Sequence, residues 1–193
     1  MRLPGAPSLC LALAVLTGCG GASALQNYGP PVTPGTRLVY TNPGPQAIGY
    51  LLVRDAASTD QALILDLVHT SPAGAAVGVT FSFTVDTSRA TWNTSPILVN
   101  GNVFAQGAGG VQLARGWIAG KQIEGIVSNK GLTGAIPDVS LAGAGILARI
   151  QLNLAPSPPT GNVALADSGL STVLGSLGDI TPIQVQVGTL SVQ

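Results

Sequence analysis

Residues 80–86, which read TFSFTVD, decide the fold class of this 193-residue chain. The apolar side chains of Phe81, Phe83 and Val85 alternate with polar ones, and a period of two is typical of a half-buried β-strand. No long stretch of the chain repeats with the helical period. The sequence therefore predicts antiparallel strands that bury one face each. The same alternation recurs at residues 111–114 and 149–154, and residues 62–69 place Leu63, Leu65 and Leu67 on one face.

Turn signals containing Gly, Pro, Asn and Asp separate these short strands. Many short strands joined by turns predict an all-β fold, an antiparallel two-sheet sandwich or jelly roll. The pair Asn100-Gly101 predicts a hairpin between residues 97–99 and 103–104. The spacing of Leu170, Val173, Leu174 and Leu177 predicts one short helix or 3₁₀ turn.

The last strand contains a change of parity. Ile183, Val185 and Val187 are odd-numbered, whereas Leu190 and Val192 are even-numbered. One extra residue at Gly188-Thr189 would place all five on one face, as a β-bulge does. A tight turn at the same place is the alternative.

The composition excludes several classes of function. Eight basic and eight acidic residues give a net charge of zero, and charged residues are only 8% of the chain. A nucleic-acid binder needs a basic surface, which this chain lacks. One His excludes a His-rich metal site, and both Cys precede residue 20, which excludes a disulfide scaffold. An apolar fraction of 46% argues against disorder over most of the chain.

The N-terminal residues predict a membrane anchor. Arg2 precedes the apolar residues 9–16, which are too few to span a bilayer but match a signal-peptide core. The following LTGC, residues 16–19, resembles the lipobox of bacterial lipoproteins. The resemblance implies cleavage before Cys19, lipidation of Cys19 and, because Gly20 is not Asp, sorting to the outer membrane. An ordinary secretory signal with an incidental Cys is the alternative.

Three regions of the chain follow from this interpretation. Residues 1–18 are the predicted lipoprotein signal peptide, and residues 19–36 are the lipidated N-terminus with a flexible linker rich in Gly and Pro. Residues 37–193 form one predicted β-sandwich domain, long enough for a sizeable core.

Three blocks of this domain resemble the cohesin-like and carbohydrate-binding sandwiches. They are residues 63–92, where Asp86-Thr87-Ser88 ends an alternating strand, then residues 142–154 and residues 162–192. The resemblance implies a cohesin-like jelly roll that binds without catalysis. Cohesins bind dockerin modules through one sheet face, and related sandwiches bind carbohydrate. No binding residue can be transferred by position, because no dockerin-contacting motif is present.

The residues available for catalysis do not form a recognisable centre. A Ser-His-Asp triad needs His69, and Asp66 lies three residues away, on the opposite strand face. Most carboxylates fall at predicted turns, where Asp bonds its own backbone, although a pair meeting in space would permit a glycosidase. Calcium would need a spaced oxygen-ligand loop around Asp86, Asp167 or Asp179, and none is recognisable. The sequence predicts no enzyme, no cofactor and no metal site.

Trp117 and Trp92 are the candidate ligand-binding residues, because an exposed indole can stack on a ligand. A place in the core or at a sheet edge is the alternative for each. The predicted function is non-catalytic binding of an extracytoplasmic protein by a lipid-anchored outer-membrane protein, on its periplasmic face or at the cell surface. The alternatives are a carbohydrate-binding module of the cell envelope and a structural envelope protein without a discrete ligand.

Overall fold

A computed structural model describes residues 33–44, 49–70, 74–93, 103–105, 110–131, 138–141 and 145–193. These residues contain sixteen β-strands and one short 3₁₀ helix, Val103–Ala105, and no α-helix. The strands are β1 (Leu38–Thr41), β2 (Tyr50–Arg54), β3 (Ala62–His69), β4 (Ala75–Ala76), β5 (Gly78–Val85), β6 (Ala90–Trp92), β7 (Gly110–Ala119), β8 (Gln122–Gly131), β9 (Val139–Ser140), β10 (Ile146–Leu154), β11 (Gly161–Val163), β12 (Leu165–Asp167), β13 (Thr172–Leu174), β14 (Ile180–Pro182), β15 (Val185–Gln186) and β16 (Thr189–Val192).

Two large sheets form the sandwich. One has the strand order β14-β13-β5-β8-β7, with β12 also paired to β5, and we call it the six-stranded sheet. The other, the five-stranded sheet, has the order β15-β2-β3-β10-β6. Two smaller sheets, β1-β16-β11 and β4-β9, complete the pairing. All pairs are antiparallel except β15 with β2, which confirms the predicted all-β, antiparallel fold.

The alternating strands supply the core, as predicted. Phe81 and Phe83 of β5 are buried, and their rings lie 5.9 Å apart with an interplanar angle of 22°. Leu63, Leu65 and Leu67 of β3 contribute to the same buried cluster from the other sheet. Burial of these large apolar side chains is the main stabilising contribution that the pattern predicts.

The chain changes sheets at Gly188. Val185 pairs with β2, whereas Leu190 pairs with β1 and β11, so the segment forms two strands in two sheets. The predicted β-bulge or tight turn was therefore wrong, although Val185 and Leu190 are both buried despite their different parity. Gly is required here because a Cβ at Gly188 would lie 2.0 Å from the carbonyl oxygen of Thr41.

Two other local predictions were wrong. The segment predicted to be helical contains the strand β13, because its backbone pairs with β5 and β14. Tertiary pairing thus overrides the helical spacing of its apolar residues. Residues 103–104 belong to the 3₁₀ helix and not to a hairpin strand, and Phe104 is buried there. The Asn100-Gly101 turn lies outside the described residues.

Residues 1–32 of the predicted N-terminal regions lie outside the described residues. The signal peptide, lipidation of Cys19 and most of the linker therefore stay predictions. Within the part of the chain that the structure describes, no helix has the length and apolarity needed to cross a membrane.

A buried tyrosine stabilises the segment around Gly188, where the chain passes from one sheet to another. The Tyr40 hydroxyl donates a hydrogen bond to the carbonyl oxygen of Leu52 at 2.8 Å and accepts one from the amide of Gly188 at 2.7 Å. Both backbone groups would lose this partner without the hydroxyl. Tyr40 therefore links β1, β2 and the connection between β15 and β16.

Tyr40→Phe should lower the free energy of unfolding by about 2 kcal/mol, because it leaves the buried carbonyl of Leu52 and the half-buried amide of Gly188 without this partner. Urea titration at neutral pH measures this change. Burial also raises the pKa of Tyr40 to about 12. The folded state thus holds this proton more tightly, so wild-type stability should fall as the pH rises from about 10 to 12. Tyr40→Phe should show a shallower alkaline decline, and an unchanged slope would contradict the assignment.

Candidate functional site

The side of the six-stranded sheet that points away from the core carries the candidate site, and we call it the outer face. Strand register aligns its residues in rows. Ser82 of β5 pairs with Glu124 of β8, which pairs with Trp117 of β7. Directly paired residues project to the same side of a sheet. The adjacent row contains Thr172, Thr80, Ile126 and Arg115.

The large apolar side chains exposed in the described part of the chain all belong to this sheet or its connections. Trp117 is 53% exposed, Leu170 is 62% exposed and Ile180 is 65% exposed. Leu177, in the turn between β13 and β14, is 92% exposed. Single exposed apolar residues are ordinary, but several on one sheet indicate an interaction surface.

A shallow cavity opens on the outer face. Its volume is about 150 Å³. Trp117, Leu170 and Glu124 contribute side chains of three different kinds to its lining: aromatic, aliphatic and acidic. The complete lining is Thr80, Phe81, Ser82, Trp117, Glu124, Gly125 and Leu170.

One amide side chain orients the polar part of the cavity. Gln122 Nε2 donates hydrogen bonds to Ser82 Oγ at 2.9 Å and to Glu124 Oε1 at 2.5 Å. Glu124 is half-buried, and no ion pair joins it to another described residue. Within the described part of the chain, the cavity thus presents a hydrogen-bonded carboxylate without a counter-ion.

Asp167 positions the apolar rim. Its carboxylate accepts hydrogen bonds from the amide of Gly169 at 3.2 Å and from Ser171 Oγ at 3.0 Å. It also accepts one from the amide of Val185 at 2.8 Å. These bonds shape the connection between β12 and β13, which carries Leu170. Asp167 therefore acts as a turn residue, as predicted for most aspartates in the chain.

The two candidate tryptophans occupy different environments. Trp92 is 6% exposed, and its indole N–H donates to the carbonyl oxygen of Lys121 at 2.9 Å. It is a core residue and is not accessible to a ligand. Of the two, only Trp117 can contact a partner without rearrangement of the core.

His69 and Asp66, the residues available for a triad, lie in different environments. His69 is buried, its Nδ1 lies 3.0 Å from the carbonyl oxygen of Leu141, and its ring packs against Tyr50. Asp66 pairs instead with Arg149 through Nε at 2.6 Å and Nη2 at 2.9 Å. His69 and Asp66 thus face different partners, as the strand parity predicted. Asp55 and Asp66 do come together, but they share the guanidinium of Arg149.

Two of the loop aspartates named for calcium, Asp86 and Asp167, make turn contacts. Asp86 accepts hydrogen bonds from the amide and hydroxyl of Ser88 and from Arg89, and these bonds lower its pKa, those of Ser88 most. Among the described residues, no three His, Cys, Asp or Glu side chains lie close enough together to hold a metal ion.

Solved cohesin structures share this architecture. The sixth cohesin of scaffoldin B from Acetivibrio cellulolyticus, in complex with a Cel5 dockerin, is 12% identical with a TM-score of 0.50, covering 75% of this chain and 97% of the cohesin. A Clostridium thermocellum OlpA cohesin–dockerin complex is 9% identical with a TM-score of 0.50 and coverages of 75% and 97%. Type II cohesin A11 from Bacteroides cellulosolvens is 10% identical with a TM-score of 0.50 and coverages of 74% and 97%.

The fold of this chain is a cohesin-like jelly-roll sandwich, which confirms the predicted fold. No protein-family model matches the sequence, and no curated protein matches it. The similarity to solved structures therefore concerns the fold alone.

Sequence reasoning named Trp117 as a candidate but did not name the other residues of the outer face. Leu170 was assigned to an apolar helical stripe, and Ile180 carried no signal of its own. Glu124 was one of several carboxylates to which the sequence assigned no position in the fold. The alternation in residues 80–86 did predict that Thr80 and Ser82 point away from the core, but the neighbours of those two residues depend on strand order.

Proposed function

We propose that this chain is a non-catalytic protein-binding module that docks an extracytoplasmic protein on its outer face. The observation that carries the proposal is that the exposed large apolar side chains of the described residues all belong to this sheet or its connections: Trp117, Leu170, Leu177 and Ile180. Interface centres are rich in aromatic and apolar residues and poor in charge. The cohesins from Acetivibrio cellulolyticus and Clostridium thermocellum, which have this fold, were solved in complex with dockerins, and this similarity supports a protein partner.

A protein fits this surface better than a carbohydrate does. Sugar-binding platforms stack rings on aromatic side chains, and Trp117 is the one exposed aromatic on the described outer face. The other three exposed apolar residues are aliphatic and extend the surface toward β14. Apolar side chains spread across the width of a sheet suit a folded partner.

We further propose that the module is anchored to the outer membrane by lipid on Cys19. The support is the apolar stretch 9–16 followed by LTGC in the sequence. More than one acyl chain makes membrane attachment stable. Growth with labelled fatty acid should label the wild-type chain but not Cys19→Ser. Equal labelling of both chains would overturn the anchor.

Removal of Trp117 should weaken docking strongly. The mature chain carrying Cys19→Ser is immobilised and exposed to the envelope and secreted fractions of the organism. The proteins and glycans that it retains are identified by mass spectrometry. The retained protein is then titrated against purified variants. Trp117→Ala should raise its Kd about 30-fold, the loss of about 2 kcal/mol expected for an aromatic hot spot.

Gln151→Ala, on the outward side of the five-stranded sheet, is the control and should bind like the wild type. Docking on the outer face would be overturned if Trp117→Ala, Leu170→Ser and Ile180→Ser each bound the retained protein with the affinity of the wild type. Retention of glycan without protein would favour the carbohydrate-binding alternative.

A further inference from the structure

We infer that the cavity beside Trp117 receives a Lys or Arg side chain of the docked protein. This inference rests on the proposed function and specifies the chemistry that the outer face recognises. It combines three observations: a carboxylate that forms no ion pair with another described residue, an exposed indole directly across from it, and an aliphatic wall.

The carboxylate supplies the charge complementarity. Glu124 is half-buried in the cavity, and its described hydrogen bond is to the neutral amide of Gln122. Arg115 lies in the adjacent row of the outer face but forms no ion pair with it. A docked protein would cover the cavity and remove water from Glu124, which is costly unless the partner brings a cation.

The indole supplies the second contact for a cation. Trp117 and Glu124 are directly paired across β7 and β8, so their Cβ atoms are about 5 Å apart in such a register. Trp is the best side chain for cation–π contact, and Arg stacks on it readily. A cation lodged between them would contact both the negative carboxylate and the electron-rich ring.

The aliphatic wall suits the stem of such a side chain. Leu170 lines the cavity beside Thr80 and Ser82. Lys and Arg carry a methylene stem that packs on apolar surface while the charged end reaches a polar partner. A volume of about 150 Å³ corresponds to roughly five water molecules, which is the scale of one side chain. An anionic group would be repelled by Glu124, and a neutral sugar would leave its charge uncompensated.

The test uses amino-acid probes on the mature chain with Cys19→Ser. N-acetyl-arginine methylamide and N-acetyl-lysine methylamide are titrated, and the Trp117 indole N–H signal is followed by NMR. Trp117→Phe assigns that signal against Trp92. N-acetyl-citrulline methylamide, which is neutral and nearly the same shape as the arginine probe, is the matched control.

The cationic probes should shift the Trp117 signal saturably, with at least fivefold weaker binding for the citrulline probe. Glu124→Gln should weaken binding of the cations at least fivefold. Higher salt should weaken it in the wild type, a measurement that needs no variant. Equal binding of the arginine and citrulline probes, or unchanged binding by Glu124→Gln, would overturn the inference.

These outcomes separate the inference from the proposed function. If the cationic probes do not bind but Trp117→Ala still weakens binding of the captured protein, docking is supported and the cation site is refuted. If the cationic probes bind as expected but no protein is retained, the cation site is supported and docking of a protein is refuted.

Discussion

Arg149→Met should lower the free energy of unfolding by about 3 kcal/mol, because it leaves a buried carboxylate without its counter-ion. Arg149 makes a two-pronged ion pair with Asp66, whose side chain is only 6% exposed. Arg149 also pairs with Asp55, in the connection between β2 and β3. One guanidinium thus neutralises two carboxylates on neighbouring segments of the five-stranded sheet.

Urea unfolding at pH 7 measures the effect, and Arg37→Met is the matched control. Arg37 is exposed, and its side chain bonds to Gln193, so its replacement should change stability by about 0.5 kcal/mol or less. Asp66→Leu combined with Arg149→Met should recover much of the loss, because an apolar pair replaces the ion pair. A loss no larger than that of the control would contradict the prediction.

The same cluster should contribute to acid sensitivity. Hydrogen bonding from the amide of Ala57, together with Arg149, lowers the pKa of Asp55 below its usual 3.8. The folded state therefore favours the ionised form, and this stabilisation is complete above about pH 4 and lost as the pH falls. The difference between wild type and Arg149→Met should shrink as the pH falls through this range, since protonated Asp55 no longer pairs with Arg149.

Gly125→Ala should cost about 3 kcal/mol through overpacking of the core. Gly125 of β8 lies under the ring of Phe81, and a Cβ there would be 2.3 Å from Cζ. Phe81 is 1% exposed and stacks on Phe83, so its ring has little room to move. Densely packed interiors do not absorb an extra methyl group without strain.

Gly44→Ala is the matched control, because a Cβ at Gly44 meets nothing within 4 Å. Its stability should match that of the wild type to about 0.5 kcal/mol in the same urea titration. Phe81→Leu should relieve the clash, so the double variant with Gly125→Ala should be more stable than Gly125→Ala alone. Equal stability of Gly125→Ala and Gly44→Ala would refute the packing argument.

The strands that were predicted well have a strong local pattern. Apolar residues alternate with polar ones in β5 and in residues 149–154 of β10, and β3 places three leucines on one face. The buried side chains include the predicted ones: Phe81, Phe83, Val85, Leu63, Leu65, Leu67, Ile150 and Leu152. The pattern is visible locally because one buried face imposes a period of two on each strand. The segment around β13 has no such alternation, and its strand identity depends on pairing with β5.

The candidate site was less predictable, because its parts come from distant segments. Trp117, Glu124 and Leu170 lie on β7, β8 and the connection after β12. Residue type made both Trp117 and Trp92 candidates. Which of the two is exposed depends on how the sheets pack, so the sequence alone could not determine it. The ion pair of Asp66 and Arg149 likewise joins residues 83 positions apart in the sequence, and the register of β3 and β10 brings them together.

The amino-acid sequence by itself determined that this chain forms an antiparallel β-sandwich, since hydrophobic periodicity and turn residues act locally. Tertiary structure alone decided which strands neighbour one another, where the chain changes sheets at Gly188, and which apolar residues remain exposed. The physical reason is that strand pairing satisfies backbone hydrogen bonds irrespective of side chain, so many strand orders are compatible with one alternating pattern. The order that buries Phe81 and Trp92 is the one that brings Trp117, Leu170 and Glu124 together on the outer face.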